Sequence, residues 1–424
     1  MKNTDNLVIV GTGCAGVELA FGARAGGWEG AITLIGDDPA TPYQRPPLSK
    51  GYLLGEMSAD DLCLKAVSTY DKSNIALCTG ARVAAIDRKR MRVELEDGRE
   101  LPYDHLALTT GGRPRPLPAA VAAGGGVTNL HYLRTLADAD AIRRNLGACG
   151  RLVIVGGGYI GLEVAAAAVK SGVQVTVLQA EARVLERVTA PPVSAFYENV
   201  HRQAGVDLRT REQVESVELS PDGTKVTAVR CSSGARVAAD WLVVGIGLIP
   251  NSELASEAGL VVDNGIVVNS QLRTSDENVV SAGDCACFHS DIYERPVRIE
   301  SVPNALEQAR KIAALLCGKP PRAPAAPWFW SNQYDLNLKI AGLSQGYDRV
   351  VIRGSMQARS FSAFYLAGNR VLAADTVNRP LDFNVAKQWV ARRAQVDAAR
   401  LEDESIPLDR LQDATLVDGV FPLN

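Results

Sequence analysis

Residues 7–20 read LVIVGTGCAGVELA, and residues 151–168 repeat the design as RLVIVGGGYIGLEVAAAA. In each, an apolar β-branched run enters a glycine turn and leaves it in helix-forming residues. The first turn is Gly11-x-Gly13-x-x-Gly16; the second is Gly156-x-Gly158-x-x-Gly161, with Tyr159 and Ile160 inside it. In such a loop the first glycine makes the tight turn and the second lets a pyrophosphate approach the backbone. The third lets helix and strand pack, while the helix N-terminus faces the phosphate charge. A second strand follows each copy: AITLIG, ending at Asp37, and VQVTVL, ending before Gln179 and Glu181. An acid at the end of that strand is placed to hold a ribose hydroxyl. One glycine pattern alone is a weak signal. Two, each with a strand before, a helix after and a second strand beyond, predict two dinucleotide sites, for FAD and for a nicotinamide cofactor.

A third segment supports this. TSDENVVSAGDCA, residues 274–286, reads as a short strand ending in Ala282-Gly283-Asp284. Alone it is a turn; in two-dinucleotide flavoproteins such a strand returns to the first domain and its aspartate binds the FAD ribityl chain. The fold class that follows is α/β, with two Rossmann-like domains of the glutathione-reductase type and a C-terminal α+β domain. The FAD-binding domain is expected at 1–112 and 246–322, and the NAD-binding domain at 113–245, ending in the strand WLVVGIGLIPN that contains Gly247. The Pro/Ala-rich stretch GKPPRAPAAP precedes a C-terminal domain at 323–424. Its segments LKIAGL, RVVIRG, FSAFYLAG and RVLAADTV alternate as an antiparallel sheet does, and NVAKQWVARRAQV follows as a helix. The acid-rich tail from Glu402 to Asp418 is expected to be partly mobile.

Composition excludes other classes. A chain of 424 residues predicts two or three domains. With 45 basic and 48 acidic residues it lacks the positive excess of a nucleic-acid binder. No run nears the roughly 20 apolar residues of a membrane helix, and Met1 to Asn6 lack the apolar core of a secretory signal. A cytoplasmic protein, a monomer by mild preference, is expected. The eight cysteines include no CxxC and no zinc-like pairing, and the four histidines form no ligand cluster, so no metal site is expected. Cys285-x-Cys287 is badly placed for a catalytic disulfide and reads as spectator thiols.

Longer stretches carry a family likeness: RPPLSKGYLLGE, RVLERVTAPPVSAFYE, GIGLIPNSELA, RIESVPNALEQARKIAALLCGK, APWFWSNQYDLNLKIAGLSQGYDR and VNRPLDFN. On these the chain resembles the FAD-dependent ferredoxin reductases, in particular the NADH-dependent reductases of bacterial cytochrome P450 systems. The resemblance implies electron transfer from NADH through FAD to a [2Fe–2S] ferredoxin. It also implies roles. Ala15 and Asp37 contact the FAD pyrophosphate and ribose; Lys50 lies by the flavin N5 and pairs with Glu163; Val83 meets the adenine; Arg134 reaches the FAD phosphates. Asp284 and Val302 complete the site, and Trp330, sharing one strand face with Trp328, meets the flavin ring. The nicotinamide is held by the loop of 156–161 and by Glu163. Arg310 and Lys339 are implied as contacts for the acidic ferredoxin, although residues 323–424 hold 11 basic and 11 acidic side chains and show no basic patch.

Two departures stand out. The family's acid at the second strand end is here Gln179, with Glu181 two residues on. Gln179 can hold a ribose hydroxyl but does not repel a 2′-phosphate as a carboxylate does; NADH stays favoured, with a weaker preference. The dithiol of the disulfide reductases is also missing. Two alternatives remain open: a direct NADH oxidase or a quinone or monodehydroascorbate-type reductase needing no ferredoxin, and a redox-sensing flavoprotein of the apoptosis-inducing-factor sort.

Overall fold

The strand–glycine–helix segments nucleate two separate parallel sheets. The computed structural model describes residues 4–118, 126–147, 150–321 and 325–411. By contacts the chain divides into two compact units, residues 1–115, 134–139 and 247–323 in the first, and 116–133, 140–246 and 324–424 in the second. Cys149, the middle of the Pro/Ala-rich boundary and tail residues 412–418 lie outside the described residues.

In the first unit all four residues of strand Leu7–Val10 are buried. A run buried on both faces belongs inside a parallel sheet covered on both sides. The strand order is Val279–Ser281, His105–Leu108, Leu7–Val10, Ile32–Ile35, Ile75–Cys78, all parallel. The downstream strand Val279–Ser281 takes the edge beside His105–Leu108, as its sequence leads one to expect. Successive side chains of a strand point to opposite faces. Leu7 and Ile9 therefore pack towards helices Cys14–Gly26 and Val302–Leu316, while Val8 and Val10 join Val93 and Leu95 of a small antiparallel sheet. Each fully buried Leu or Ile contributes about 1.5–3 kcal/mol.

The second unit repeats the plan, with strand order Asp207–Thr210, Gln174–Gln179, Arg151–Val155, Trp241–Val244, Leu130–Tyr132. The expected strand WLVVGIGLIPN is in fact two. It stops at Val244, and Leu248–Pro250 pairs instead with Gly112–Pro114 of the first unit. Gly247, at φ +112°, supplies the break, a conformation that L side chains rarely adopt. The C-terminal segment forms the expected antiparallel sheet, ordered Trp328–Gln333, Leu336–Gly342, Arg370–Val377, Ser360–Ala367, Arg349–Ser355. Its helix begins earlier than expected, at Pro380, where proline's fixed φ suits the first helical turn, and ends at Ala391. The start of the tail is tied down: the buried Arg353 guanidinium donates to the carbonyls of Leu401 (3.0 Å), Asp403 (2.7 Å) and Ile406 (2.8 Å).

Asp375, inside strand Arg370–Val377, is buried and accepts from Thr189 Oγ1 at 2.6 Å and from the Tyr365 hydroxyl. Burial pushes its carboxyl up to about 6 despite those two donors. The charged form is thus penalised in the folded state, so stability is lost as pH rises from about 4 through 6. Asp375→Asn removes this dependence. The unfolding midpoint of the variant, relative to wild type, is expected to move in the variant's favour between pH 4 and 7. The shift is at most about 3 kcal/mol, checked by thermal melts across that range.

Candidate functional site

Gly11 turns the chain at φ +114° where the first strand ends. A Cβ there would come within 2.1 Å of the Thr109 carbonyl oxygen, and one on Gly16 within 2.0 Å of the Gly11 carbonyl oxygen. Thr109 Oγ1 donates to that Gly11 oxygen at 2.9 Å, closing the turn. Gly13 then caps helix Cys14–Gly26 with no side-chain hydrogen bond, so the helix presents its first-turn N–H groups.

Two guanidiniums converge on this loop. Arg45 Nη1 lies 3.1 Å from where a Gly13 Cβ would sit, and Arg134 Nη2 lies 3.4 Å from where a Gly111 Cβ would sit. Arg134 pairs with Asp284 at 2.9 Å. Burial and the adjacent Arg134 charge push the Arg45 guanidinium below its ordinary range, and its Nε is buried without a partner. Half-buried like charges beside an uncapped helix end and a loop without Cβ atoms make an anion site; the pyrophosphate of FAD fits it.

The other residues expected around FAD fall as follows. Ala15 is buried in the helix's first turn, and Asp37 is exposed at the end of Ile32–Ile35, while Asp38 accepts from Ala40 N and the Tyr43 hydroxyl. Tyr43 also accepts from Leu136 N at 2.9 Å, fastening the segment that carries Arg134. Val83 lies in the core of the small antiparallel sheet, and Val302 is half-buried at the start of its helix. Lys50 Nζ donates to Pro46 O and Ser49 Oγ, each at 3.2 Å. Arg45 and Tyr43 were not among the expected residues. Arg45 stands one residue before Pro-Pro, where an arginine reads as surface; the unpartnered buried Nε is visible only in three dimensions.

The second loop matches the first. Gly156 has φ +109°, and a Cβ on it would come within 2.4 Å of Gly245 O; one on Gly161 would come within 2.1 Å of Gly156 O. Ile160 is exposed, and the Tyr159 ring packs on Phe329 with centroids 5.0 Å apart. Gln179 Oε1 accepts from Gly157 N at 2.6 Å and its amide donates to the Glu181 carboxylate. The Gln179 side chain is thus engaged with the loop, and the exposed acid at this strand end is Glu181. Arg183, the nearby cation in sequence, points its guanidinium at Thr189 O, Ser194 Oγ and Glu186 O. Glu163, 2% exposed inside helix Tyr159–Lys170, accepts from Ser331 Oγ at 2.6 Å.

The comparisons agree with this geometry. The model of the pyridine nucleotide-disulphide oxidoreductase family matches residues 5–309, and a reductase C-terminal model matches 328–412. The chain belongs to the pyridine nucleotide-disulphide oxidoreductases. It is 60% identical to putidaredoxin reductase of Pseudomonas putida over 97% of each chain. It is 42% identical to rhodocoxin reductase of Rhodococcus erythropolis, over 95% of this chain and 93% of that one. It also superimposes on the crystal structure of the covalent putidaredoxin reductase–putidaredoxin complex with a TM-score of 0.94, covering 96% of this chain and 98% of that one. Within the family it therefore stands among the FAD-dependent ferredoxin reductases, and its cofactors, FAD and NADH, match the two glycine cradles.

In this reductase Trp328 and Trp330 lie 5.6 Å apart, and Trp328 packs on Phe383 beneath Lys387. Lys339 sits over the Phe383 ring, and Arg310 pairs with Glu18 at 2.6 Å. The seven described cysteines are free thiols. No helix among the described residues is long and apolar enough to cross a membrane.

The cradles make separate demands. Gly11→Ala is expected to yield protein depleted of flavin. Gly156→Ala is expected to keep its flavin but bind NADH at least about tenfold more weakly, since its Cβ meets a carbonyl and a left-handed φ. Flavin absorbance per chain and NADH titration of each variant check this.

Proposed function

We propose that this reductase carries electrons from NADH through FAD to an acidic [2Fe–2S] ferredoxin, which supplies a cytochrome P450 monooxygenase. The observation that carries the reading is the pair of complete glycine cradles, one lined by Arg45, Arg134 and Asp284, joined to relatives named for reducing putidaredoxin and rhodocoxin. FAD is assigned to residues 1–112 and 246–322 and NADH to 113–245, with 323–424 capping the flavin. A cytoplasmic location accords with reduced thiols.

FAD held in the first cradle would supply the redox chemistry, hydride acceptance from NADH and single-electron delivery to an iron–sulfur acceptor. The chain's own groups bind and orient. Gly13 and Ala15 offer helix N–H groups, Arg45 and Arg134 offer positive charge, and Asp284 offers an acceptor to the ribityl hydroxyls. Lys50 supplies charge at the ring and Glu163 lines the nicotinamide pocket. Two expectations join residues of different units, Lys50 with Glu163 and Trp330 with the ring, and they rest on the resemblance. Of the docking candidates, Arg310 is already neutralised by Glu18, so Lys339 carries more of the expected attraction for an acidic partner.

Glu181 takes over the part expected of Gln179. Held by the Gln179 amide, its carboxylate is assigned to the adenosine ribose 2′-hydroxyl, where it repels a 2′-phosphate. Glu181→Gln is expected to narrow the preference for NAD⁺ over NADP⁺ by about tenfold or more, the worth of a hydrogen bond to a charged group. Equilibrium titration of the oxidised enzyme with both nucleotides reads it.

The function itself is tested by steady-state cytochrome c reduction with NADH, with and without an acidic [2Fe–2S] ferredoxin. The expected result is a ferredoxin-dependent rate that falls with ionic strength. If ferredoxin made no difference while oxygen or quinone consumed NADH briskly, the direct oxidoreductase would replace it.

A further inference from the structure

Within the second unit a file of hydrogen bonds runs from the surface to Glu163. Tyr334, in the turn after strand Trp328–Gln333, is 39% exposed, and its hydroxyl lies 3.1 Å from His201 Nδ1. His201, buried on helix Pro191–Gln203, has Nε2 2.9 Å from Gln333 Oε1. Gln333 Nε2 lies 3.1 Å from Ser331 Oγ, and Ser331 Oγ lies 2.6 Å from Glu163 Oε1.

Donor chemistry fixes the direction of every link. A carboxylate only accepts, so the one Ser331 proton points at Glu163. Ser331 must then accept from the Gln333 amide nitrogen, which turns the Gln333 oxygen to His201. His201 Nε2 therefore bears hydrogen. A neutral imidazole carries one N–H, so Nδ1 accepts and Tyr334 donates. Burial holds the His201 imidazole down to about 4, keeping it neutral at working pH, and pushes the Tyr334 hydroxyl up to about 12, keeping it a donor. The reverse polarity requires a protonated Glu163, a turned Gln333 amide and the other His201 tautomer.

Resting on the assignment of Glu163 to the nicotinamide pocket, we propose that Ser331, Gln333 and His201 are positioning residues whose one-way chain of donors holds the Glu163 carboxylate in a single orientation. Burial, with the Asp375 and Glu163 carboxylates beside them, pushes the Tyr159 and Tyr197 hydroxyls well above their ordinary range.

The test has two arms in the holoenzyme. With ¹⁵N-labelled histidine, the four histidine rings are resolved and His201 is assigned by its loss in His201→Asn. The expected state is the Nε2–H tautomer from about pH 6 to 9; an Nδ1–H tautomer overturns the chain. In the second arm, flavin reduction by NADH is followed as rate against NADH concentration. Ser331→Ala is expected to lose about tenfold in the limiting reduction rate, as expected for one charge-assisted hydrogen bond. Ser331→Thr restores the wild-type rate, and Gln333→Leu moves with Ser331→Ala. A Ser331→Ala rate equal to wild type overturns the positioning role. Glu163→Gln reducing flavin at the wild-type rate overturns the nicotinamide-pocket assignment, while the tautomer still judges the chain itself.

Discussion

Two carbonyl oxygens sit where side chains would be. Thr109 O fills the space of a Cβ on Gly11, and Gly245 O fills that of a Cβ on Gly156. In both units the end of a neighbouring strand is pressed against the turn that leads into the helix. The approach holds the helix start close above the strand end. The direction of the exposed N–H groups follows, and with it the place where a pyrophosphate can lie. Gly16 and Gly161, each with a carbonyl about 2 Å from a notional Cβ, lock the other side of the same joint. Any larger residue at these four positions moves the helix, and the helix carries the site.

Charge is placed on that frame in different ways. The first loop gathers Arg45 and Arg134; Asp284 pairs with Arg134, while the Arg45 Nε is buried without a partner. Like charges so close are costly, and the cost is relieved by an anion. Among the described residues, no guanidinium lies among the nearest atoms to a Cβ on Gly156, Gly157, Gly158 or Gly161 of the second loop. Arg183 is spent on Thr189, Glu186 and Ser194, and the strand end shows Glu181. The two fingerprints thus share one backbone plan and carry opposite charge beside it, guanidiniums at the first and an exposed carboxylate at the second.

Much of this was readable from residues. The paired glycine loops, the returning strand at Val279–Ser281 and the antiparallel C-terminal sheet follow from short-range rules: β-branched runs, glycine punctuation and period-two alternation. What escaped depends on contacts distant in sequence. Arg45 reads as a surface arginine until Gly13 and Arg134 come beside it. Arg353 reads as one too, until it is found holding the carbonyls of Leu401, Asp403 and Ile406. The run at 241–251 looks like one strand because nothing local says that its two halves pair with different sheets. Gln179 looked like a ribose ligand because hydrogen-bonding capacity is a property of the residue type; which partner takes it is a property of the fold.

The same distinction explains why the C-terminal segment is more than a separate module. Read along the chain, residues 323–424 stand apart behind a Pro/Ala-rich boundary. In three dimensions they supply polar partners to residues 140–246. Glu163 is met by Ser331, His201 by Gln333 and Tyr334, and Thr189 by Tyr365 and Asp375. Buried polar groups left unmet would each cost about 1–3 kcal/mol, so residues 140–246 and this sheet stabilise each other and share a compact unit. A hydrogen bond that Glu163 accepts then comes from a residue well over a hundred positions downstream. A C-terminal change at Ser331 or Gln333 can thus reach Glu163 without touching either glycine loop.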